Sequence, residues 1–335
     1  MKKIFSLLLI FALIVSSMVG CTAKQAETTT PAETTAKKFR VACLLPGPIN
    51  DNGWNASAYN GLKAIEKDLG VEIAYSESVK TSDFEEVFRN YANEGYDIVM
   101  GHGFEFGDAA KRVGPEFPDT DFVVISSDVF QAPNVASIDA ASDERGFLAG
   151  VVSGLVTKTN IVGSVGGMEM LPIIQSMDGF EKGVKYVNPS AKILRSMTGS
   201  FEDIAKAKET TLAMIEQGAD IIFGSADQAT LGIVQACQEK GVLVTLTGDD
   251  GHEIAPDTVL ASAISEIGNA LNFVVQESMN GKFEGKSYLL GAQQGVVFLA
   301  PLYGFEESLP KETVAKIHQI EADLKSGKLL YTDIP

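Results

Sequence analysis

The chain repeats itself, and this constrains its fold more than any other feature of its 335 residues. Gly95-Tyr96-Asp97-Ile98-Val99-Met100-Gly101 is echoed by Gly218-Ala219-Asp220-Ile221-Ile222-Phe223-Gly224. Phe122–Ser126 followed by Asp128 is echoed by Leu243–Thr247 followed by Asp249 and Asp250. A looser pair joins Asn60-Gly61-Leu62-Lys63 to Asp178-Gly179-Phe180-Glu181. One such match would mean little. Three at a shared offset of roughly 120 residues imply two lobes of related topology, in line with the roughly 100–200 residues usual for a domain.

Within each lobe, short apolar runs alternate with helical patterns. Arg40–Leu45 reads as a buried strand, and Trp54, Ala58, Leu62, Ile65 and Leu69 then recur at helical spacing. Strand Val71–Tyr75 precedes helix Ser82–Asn93, and strand Ile98–Met100 precedes helix Phe106–Val113. Near-continuous apolar strands are the pattern of a parallel sheet covered on both faces. The expected fold is therefore α/β, each lobe a mostly parallel sheet flanked by helices. Residues 39–138 plus about 261–292 are assigned to an N-terminal lobe, and 139–260 plus about 293–335 to a C-terminal lobe. Ligands of such sheets bind outside the carboxyl ends of the strands. The first lobe's loops there are Pro46–Gly53, Gly101–Phe106 and Ser127–Phe130; the second contributes Gly166–Pro172, Gly224–Thr230 and Gly248–His252.

Residues 1–20 read as a signal peptide. Lys2 and Lys3 supply its positive end, and Ile4–Val15 is an apolar run shorter than the roughly 20 residues that span a bilayer. Gly20 before Cys21 resembles a bacterial lipobox, with Met18 in place of the usual small aliphatic residue, so Cys21 is the expected lipidation site. Residues 21–38 carry six Thr and no large apolar side chain, and are expected to stay disordered as a tether. The chain carries a net charge of −17, and a lipid would hold so acidic a body at a membrane that repels it. The localisation implied is extracytoplasmic.

The same charge, with no cluster of Lys or Arg, argues against nucleic-acid binding, which needs a concentrated positive surface. Three Cys and three His exclude a disulfide scaffold and most Cys/His metal sites. The chain carries no G-x-S-x-G, P-loop or H-E-x-x-H pattern, so no enzyme activity, cofactor or metal is expected. Cys43 and Cys237 read as small buried hydrophobes, and His102 as a solvated loop residue.

The candidate ligand-binding residues sit in the strand-end loops. Asn50, Asp51 and Asn55 surround the start of the first helix, where free N–H groups receive a polar ligand or a capping side chain. Trp54 follows the apolar stripe, which favours a core position over a ligand-facing one, whereas Tyr59 lies off the stripe as a stacking platform. Phe104 is either a second platform or is tucked under its own loop. Asp128, Asp227, Asp249 and Asp250 offer carboxylates to ring N–H groups or hydroxyls, or serve as turn residues. Met170, Gln228 and Gly248 complete the candidate set from the second lobe.

Asp51-Asn52-Gly53-Trp54-Asn55, Asn134-Val135, Gly146-Phe147-Leu148-Ala149-Gly150 and Gly166-Gly167 then Pro172 resemble the basic membrane protein (BMP) family. Gly179-Phe180-Glu181-Lys182-Gly183-Val184-Lys185 with Asn188-Pro189 does so as well, and the resemblance runs from about Phe39 to Leu330. It implies the two-lobed type I periplasmic-binding-protein fold and a lipoprotein that binds a purine nucleoside for an ABC permease. By the same resemblance Tyr59 stacks on the base, Asp128 ends the first-lobe strand, and Asp250 binds ribose. The sequence departs from the family at Asn50-Asp51, which lacks one acid, and at Ser265, where nucleoside-type members commonly carry a Lys. That loss leaves a free purine base or another small polar ring as an alternative ligand. A monomer is expected. A ligand-presenting sensor is the competing role, while a nucleoside hydrolase and a cytoplasmic repressor are disfavoured.

Overall fold

The computed structural model describes residues 37–50 and 54–335; the leader, Cys21, the Thr-rich segment and Asp51 lie outside the described residues. The chain opens with β1 (Arg40–Leu44), α1 (Trp54–Leu69), β2 (Glu72–Ser76), α2 (Phe84–Asn93) and β3 (Ile98–His102). It continues through α3 (Gly107–Val113), β4 (Asp121–Ile125) and β5 (Val135–Ala140). The second series is α4 (Ser142–Val156), β6 (Ile161–Gly166), α5 (Leu171–Val187), β7 (Lys192–Met197), α6 (Ile204–Glu216), β8 (Ile221–Ser225), α7 (Thr230–Lys240), β9 (Leu243–Gly248) and β10 (Val259–Ser265). The chain ends with α8 (Ile267–Met279), β11 (Ser287–Leu290), β12 (Val297–Leu299), α9 (Gly304–Ser308) and α10 (Lys311–Lys325).

Among the described residues these strands form two six-stranded sheets, ordered β11-β5-β4-β3-β1-β2 and β12-β10-β9-β8-β6-β7. The repeat read from the sequence is thus a repeat of topology: β3 and β8 occupy the same place in their sheets, as do β4 and β9. Every pairing in the first sheet is parallel, and in the second only β12 runs against its neighbour, β10.

Alternation along each strand divides the core between two faces. Val41, Cys43 and Leu45 point toward α1 and α8, with Leu62, Ile65, Leu271 and Val274. Ala42 and Leu44 point toward α2 and α3, where Phe88, Phe106 and Phe122 are fully buried. Each such side chain contributes about 1.5–3 kcal/mol on leaving water. The second sheet is covered in the same way, by α4, α5 and α10 on one face and by α6 and α7 on the other. Cys43 and Cys237 are buried as expected, and burial pushes each thiol up to about 12.

The chain passes between the sheets three times, around 140–142, 265–267 and 290–292. Backbone bonds bind these passages together: Ala141 N–H donates to Leu290 O at 2.9 Å, and Glu266 N–H to Val296 O at 2.9 Å. The Glu144 carboxylate accepts from Ala292 N–H at 2.7 Å. The second sheet keeps Ala261–Ser265 as the end of β10, so the return to the first sheet begins at Glu266 and not near 261. Glu266 alone separates the apolar β10 from the apolar α8, and its carboxylate caps the helix by accepting from Gly268 N–H at 3.1 Å.

The helices α4 and α5 pack backbone against backbone. A Cβ on Gly146 would lie 1.8 Å from Ser176 O, and one on Gly150 would lie 2.1 Å from Phe180 O. Gly179 and Gly183 meet Asp143 O and Phe147 O equally closely from the other side. Two further motif residues are structural. Asn134 is buried with its amide between the carbonyls of Gly114, Phe117 and Thr120 at 2.8–2.9 Å. Asn188 ends α5, and its amide donates to Gly154 O and to Asn160 Oδ1. Gly150→Ala is expected to lower stability by about 2 kcal/mol or more. Gly304→Ala, whose Cβ meets nothing, should stay within about 0.5 kcal/mol. Urea denaturation followed by circular dichroism measures both.

Candidate functional site

At the carboxyl ends of β8 and β9 lies a cavity of about 350 Å³, within the roughly 300–1,000 Å³ usual for small-ligand sites. Asp227 follows β8 with φ +49°, a left-handed conformation that Asp tolerates better than most side chains. Gly248 ends β9 at φ +107°, where a side chain would be strained. Asp227, Asp249 and Asp250 line the cavity beside Phe201, Leu231 and Ile254. The arrangement is a set of acceptors around a partly apolar floor, suited to a ring that carries N–H or O–H groups.

One cation enters this acidic wall. Arg145 stands in the first turn of α4 and lines the same cavity. Its Nη1 donates to Ser265 Oγ at 3.1 Å. Its Nε is buried without a hydrogen-bond partner among the described residues. Burial opposes its charge, and the carboxylate of Asp139 supports it. Asp139, at the end of β5, is raised above its ordinary range first by burial and further by Asp128, and is lowered by the Ala140 N–H and by Arg145. Asp128 and Asp139 from the first lobe therefore share an electrostatic field with Arg145 from the second.

Asp250 is not a bare acceptor. His252 N–H donates to its Oδ1 at 3.0 Å, and the Tyr303 hydroxyl donates to its Oδ2 at 2.5 Å. The Tyr303 ring stacks on His252 with centroids 3.7 Å apart. The bond to Asp250 is the main reason that the Tyr303 hydroxyl is raised above the usual tyrosine value.

The described first-lobe candidates do not line this cavity. Trp54 is 41% exposed and stacks on His102 at 3.9 Å, so it is a surface ring and not the core residue its spacing implied. His102 is wholly buried at the end of β3, with Nε2 bonded to Trp54 O at 2.9 Å, in contrast to the solvated residue expected. The indole covers the imidazole, a contact between distant residues that no local pattern encodes. Asn55 is buried, and its Oδ1 accepts from Gly47 N–H at 3.1 Å, which ties the first loop to α1. Asn50 is exposed. Tyr59 is half-buried and packs edge-on against Tyr75 of β2, centroids 5.1 Å apart. Phe104 is 70% exposed, whereas Phe106 fills the core beneath Gly101. Asp128 is exposed.

In the second lobe Met170 is exposed ahead of α5, and Gln228 is exposed beside Asp227. Met168, Leu171 and Phe130 add further exposed apolar side chains around the two sets of strand ends. Arg145, Phe201, Leu231 and Ile254 line the cavity and Tyr303 bonds its Asp250, yet none of them was a sequence candidate. Phe201 comes from the loop after β7, a strand end that was not among the candidate loops. Arg145 had a signal, being a lone cation directly before the buried run that starts at Gly146. Among the described residues no group of acids, histidines and cysteines has the geometry to hold a metal, and no helix is long and apolar enough to cross a membrane.

Residues 38–327 match the family model described as ABC transporter substrate-binding protein, PnrA-like. The chain belongs to this Bmp family. Its members are solute-binding proteins and not enzymes. A relative from Lactococcus lactis subsp. cremoris (strain MG1363), named ABC transporter nucleoside-binding protein BmpA, is 27% identical and aligned over 85% of this chain and 87% of its own. Transcriptional activator protein med of Bacillus subtilis (strain 168) is 28% identical over 87% and 90%. Among solved structures, an ABC transporter system solute-binding protein from Conexibacter woesei DSM 14684 superposes with a TM-score of 0.69. It is 25% identical and covers 87% of this chain and 98% of that one. The two-lobed periplasmic-binding fold expected from the sequence is therefore the fold of this Bmp protein.

Asp250→Ala removes both the acceptor and the negative charge that keep the proton on Tyr303. The ionisation of one tyrosine should then move to lower pH in an ultraviolet absorbance titration. An unchanged profile would mean that the Tyr303–Asp250 bond is not made in solution.

Proposed function

We propose that this Bmp protein is a lipid-anchored, extracytoplasmic receptor that captures a purine nucleoside and delivers it to an ABC permease. The observation that carries the reading is the cavity outside β8 and β9, with three carboxylates, an aromatic ring and a single cation around a volume of about 350 Å³. A purine presents flat faces for Phe201 and edge N–H groups for the acids. The nucleoside-binding name of the Lactococcus relative supports the same ligand class. The positive, apolar leader ending at Cys21 supports export and acylation, and makes a cytoplasmic regulator the weaker reading.

Delivery calls for capture and release without chemistry, which a hinge between two lobes supplies. The three chain passages are the natural hinge. Exposed Phe104 and Phe130 on one lobe and Met168, Met170 and Leu171 on the other would lose water contact on closure, which favours the closed state once a ligand fills the gap.

A second ligand, the free base, is favoured by two particular observations. Ser265 stands where a ribose-holding Lys is expected, and both oxygens of Asp250 are already engaged. Calorimetric titration with inosine, guanosine, adenosine, hypoxanthine and guanine separates the two. Tighter binding of the nucleosides supports the nucleoside reading, tighter binding of the bases supports the second, and no heat with any of them removes both. For the anchor, Cys21→Ser should release the protein from the membrane fraction into solution; continued membrane attachment would contradict acylation at Cys21.

A further inference from the structure

The guanidinium of Arg145 is placed as a reader, not as a structural ion. An arginine held inside a fold usually spends its five N–H groups on carboxylates, because an unpaired buried charge is costly. Here, among the described residues, no carboxylate lies within ion-pair distance of it. Its one hydrogen bond goes to the hydroxyl of Ser265, and its Nε is buried with no acceptor. The side chain also lines the cavity, so the missing acceptor is one that a guest can bring. Ser265 is short and neutral, and it leaves this corner of the site to the guanidinium alone.

The remaining polar wall has the opposite character. Asp227, Asp249 and Asp250 are acceptors when ionised. With Asp128 and Asp139 acting on the same corner, the site carries more negative charge than positive, which disfavours a phosphate or carboxylate guest. The complementary guest is neutral, with acceptors on one edge and donors on another. A 6-oxopurine has this form: O6 and N7 match the guanidinium fork, and the N1–H faces a carboxylate. A 6-aminopurine turns an amino donor toward Arg145 and leaves donors unpaired on both sides.

Resting on the purine reading above, we propose that Arg145 is the specificity-determining residue of the cleft and selects 6-oxopurines over 6-aminopurines through O6 and N7.

Titrating the full chain in detergent by calorimetry tests this. Guanosine and inosine are expected to bind at least about tenfold more tightly than adenosine, within what one bidentate contact discriminates. 7-Deazaguanosine, which lacks the N7 acceptor, should bind more weakly than guanosine. Arg145→Gln should weaken guanosine about tenfold or more and bring it level with adenosine, whereas Arg145→Lys, which keeps the charge but loses the fork, should fall between. Thermal unfolding verifies that the variants are folded, and if they are not, the ligand series on the unmodified chain decides. Adenosine binding as tightly as guanosine, or Arg145→Gln keeping the full preference, overturns the assignment while leaving the purine reading intact. Failure of every purine to bind the unmodified chain overturns the purine reading first, and this inference with it.

Discussion

Backbone contact between α4 and α5 sets the position of Arg145 and of the α5 side of the second lobe's mouth. Glycines at 146, 150, 179 and 183 let the two helices approach until a single methyl group would strike a carbonyl oxygen. Helices packed this closely cannot slide, so their first turns are fixed relative to each other and to β6. Arg145 is in the first turn of α4, and Met170 directly precedes α5. A binding wall is thereby placed by the least reactive residues in the chain. Close packing of this kind transmits displacement and does not absorb it, so a change at a buried glycine would be felt at the guanidinium.

The electrostatics of the cleft follow from that placement. One cation is set among five acids drawn from both lobes, and its counter-charge is a field spread over Asp139 and its neighbours rather than one paired carboxylate. Such a group is well suited to accept a neutral guest, since no ion pair has to break when the ligand arrives. Tyr303 tempers Asp250 in a related way, by donating to an oxygen that would otherwise look for a hydroxyl on the ligand.

The architecture was largely legible in the sequence, and the ligand geometry only in part. Apolar runs ending in Gly101 and Gly224 reported buried parallel strands directly, because a strand covered on both faces leaves little room for polar residues. Six of the residues that carried the family resemblance join backbones: Gly146, Gly150, Gly179 and Gly183 in the helix contact, and Asn134 and Asn188 with amides on carbonyls. They speak for the scaffold and say little about the guest. Asp227, Asp249 and Asp250 were found because acids at strand ends face the mouth of the sheet. Trp54 and His102 were misjudged because their stacking joins elements far apart in sequence. Arg145 and Tyr303 escaped for a similar reason: each acquires its meaning from a residue more than fifty positions away.

The interleaving of the two sheets bears on how the protein is made. The edge strand β11 of the first sheet lies downstream of most of the second lobe, as does α8, which covers that sheet's face. A ribosome that has released only the first hundred and fifty residues has therefore delivered a half-roofed sheet with one open edge. The cover and the last strand of the first sheet arrive only with residues 267–290, so the first half of the molecule closes after most of the second has been made.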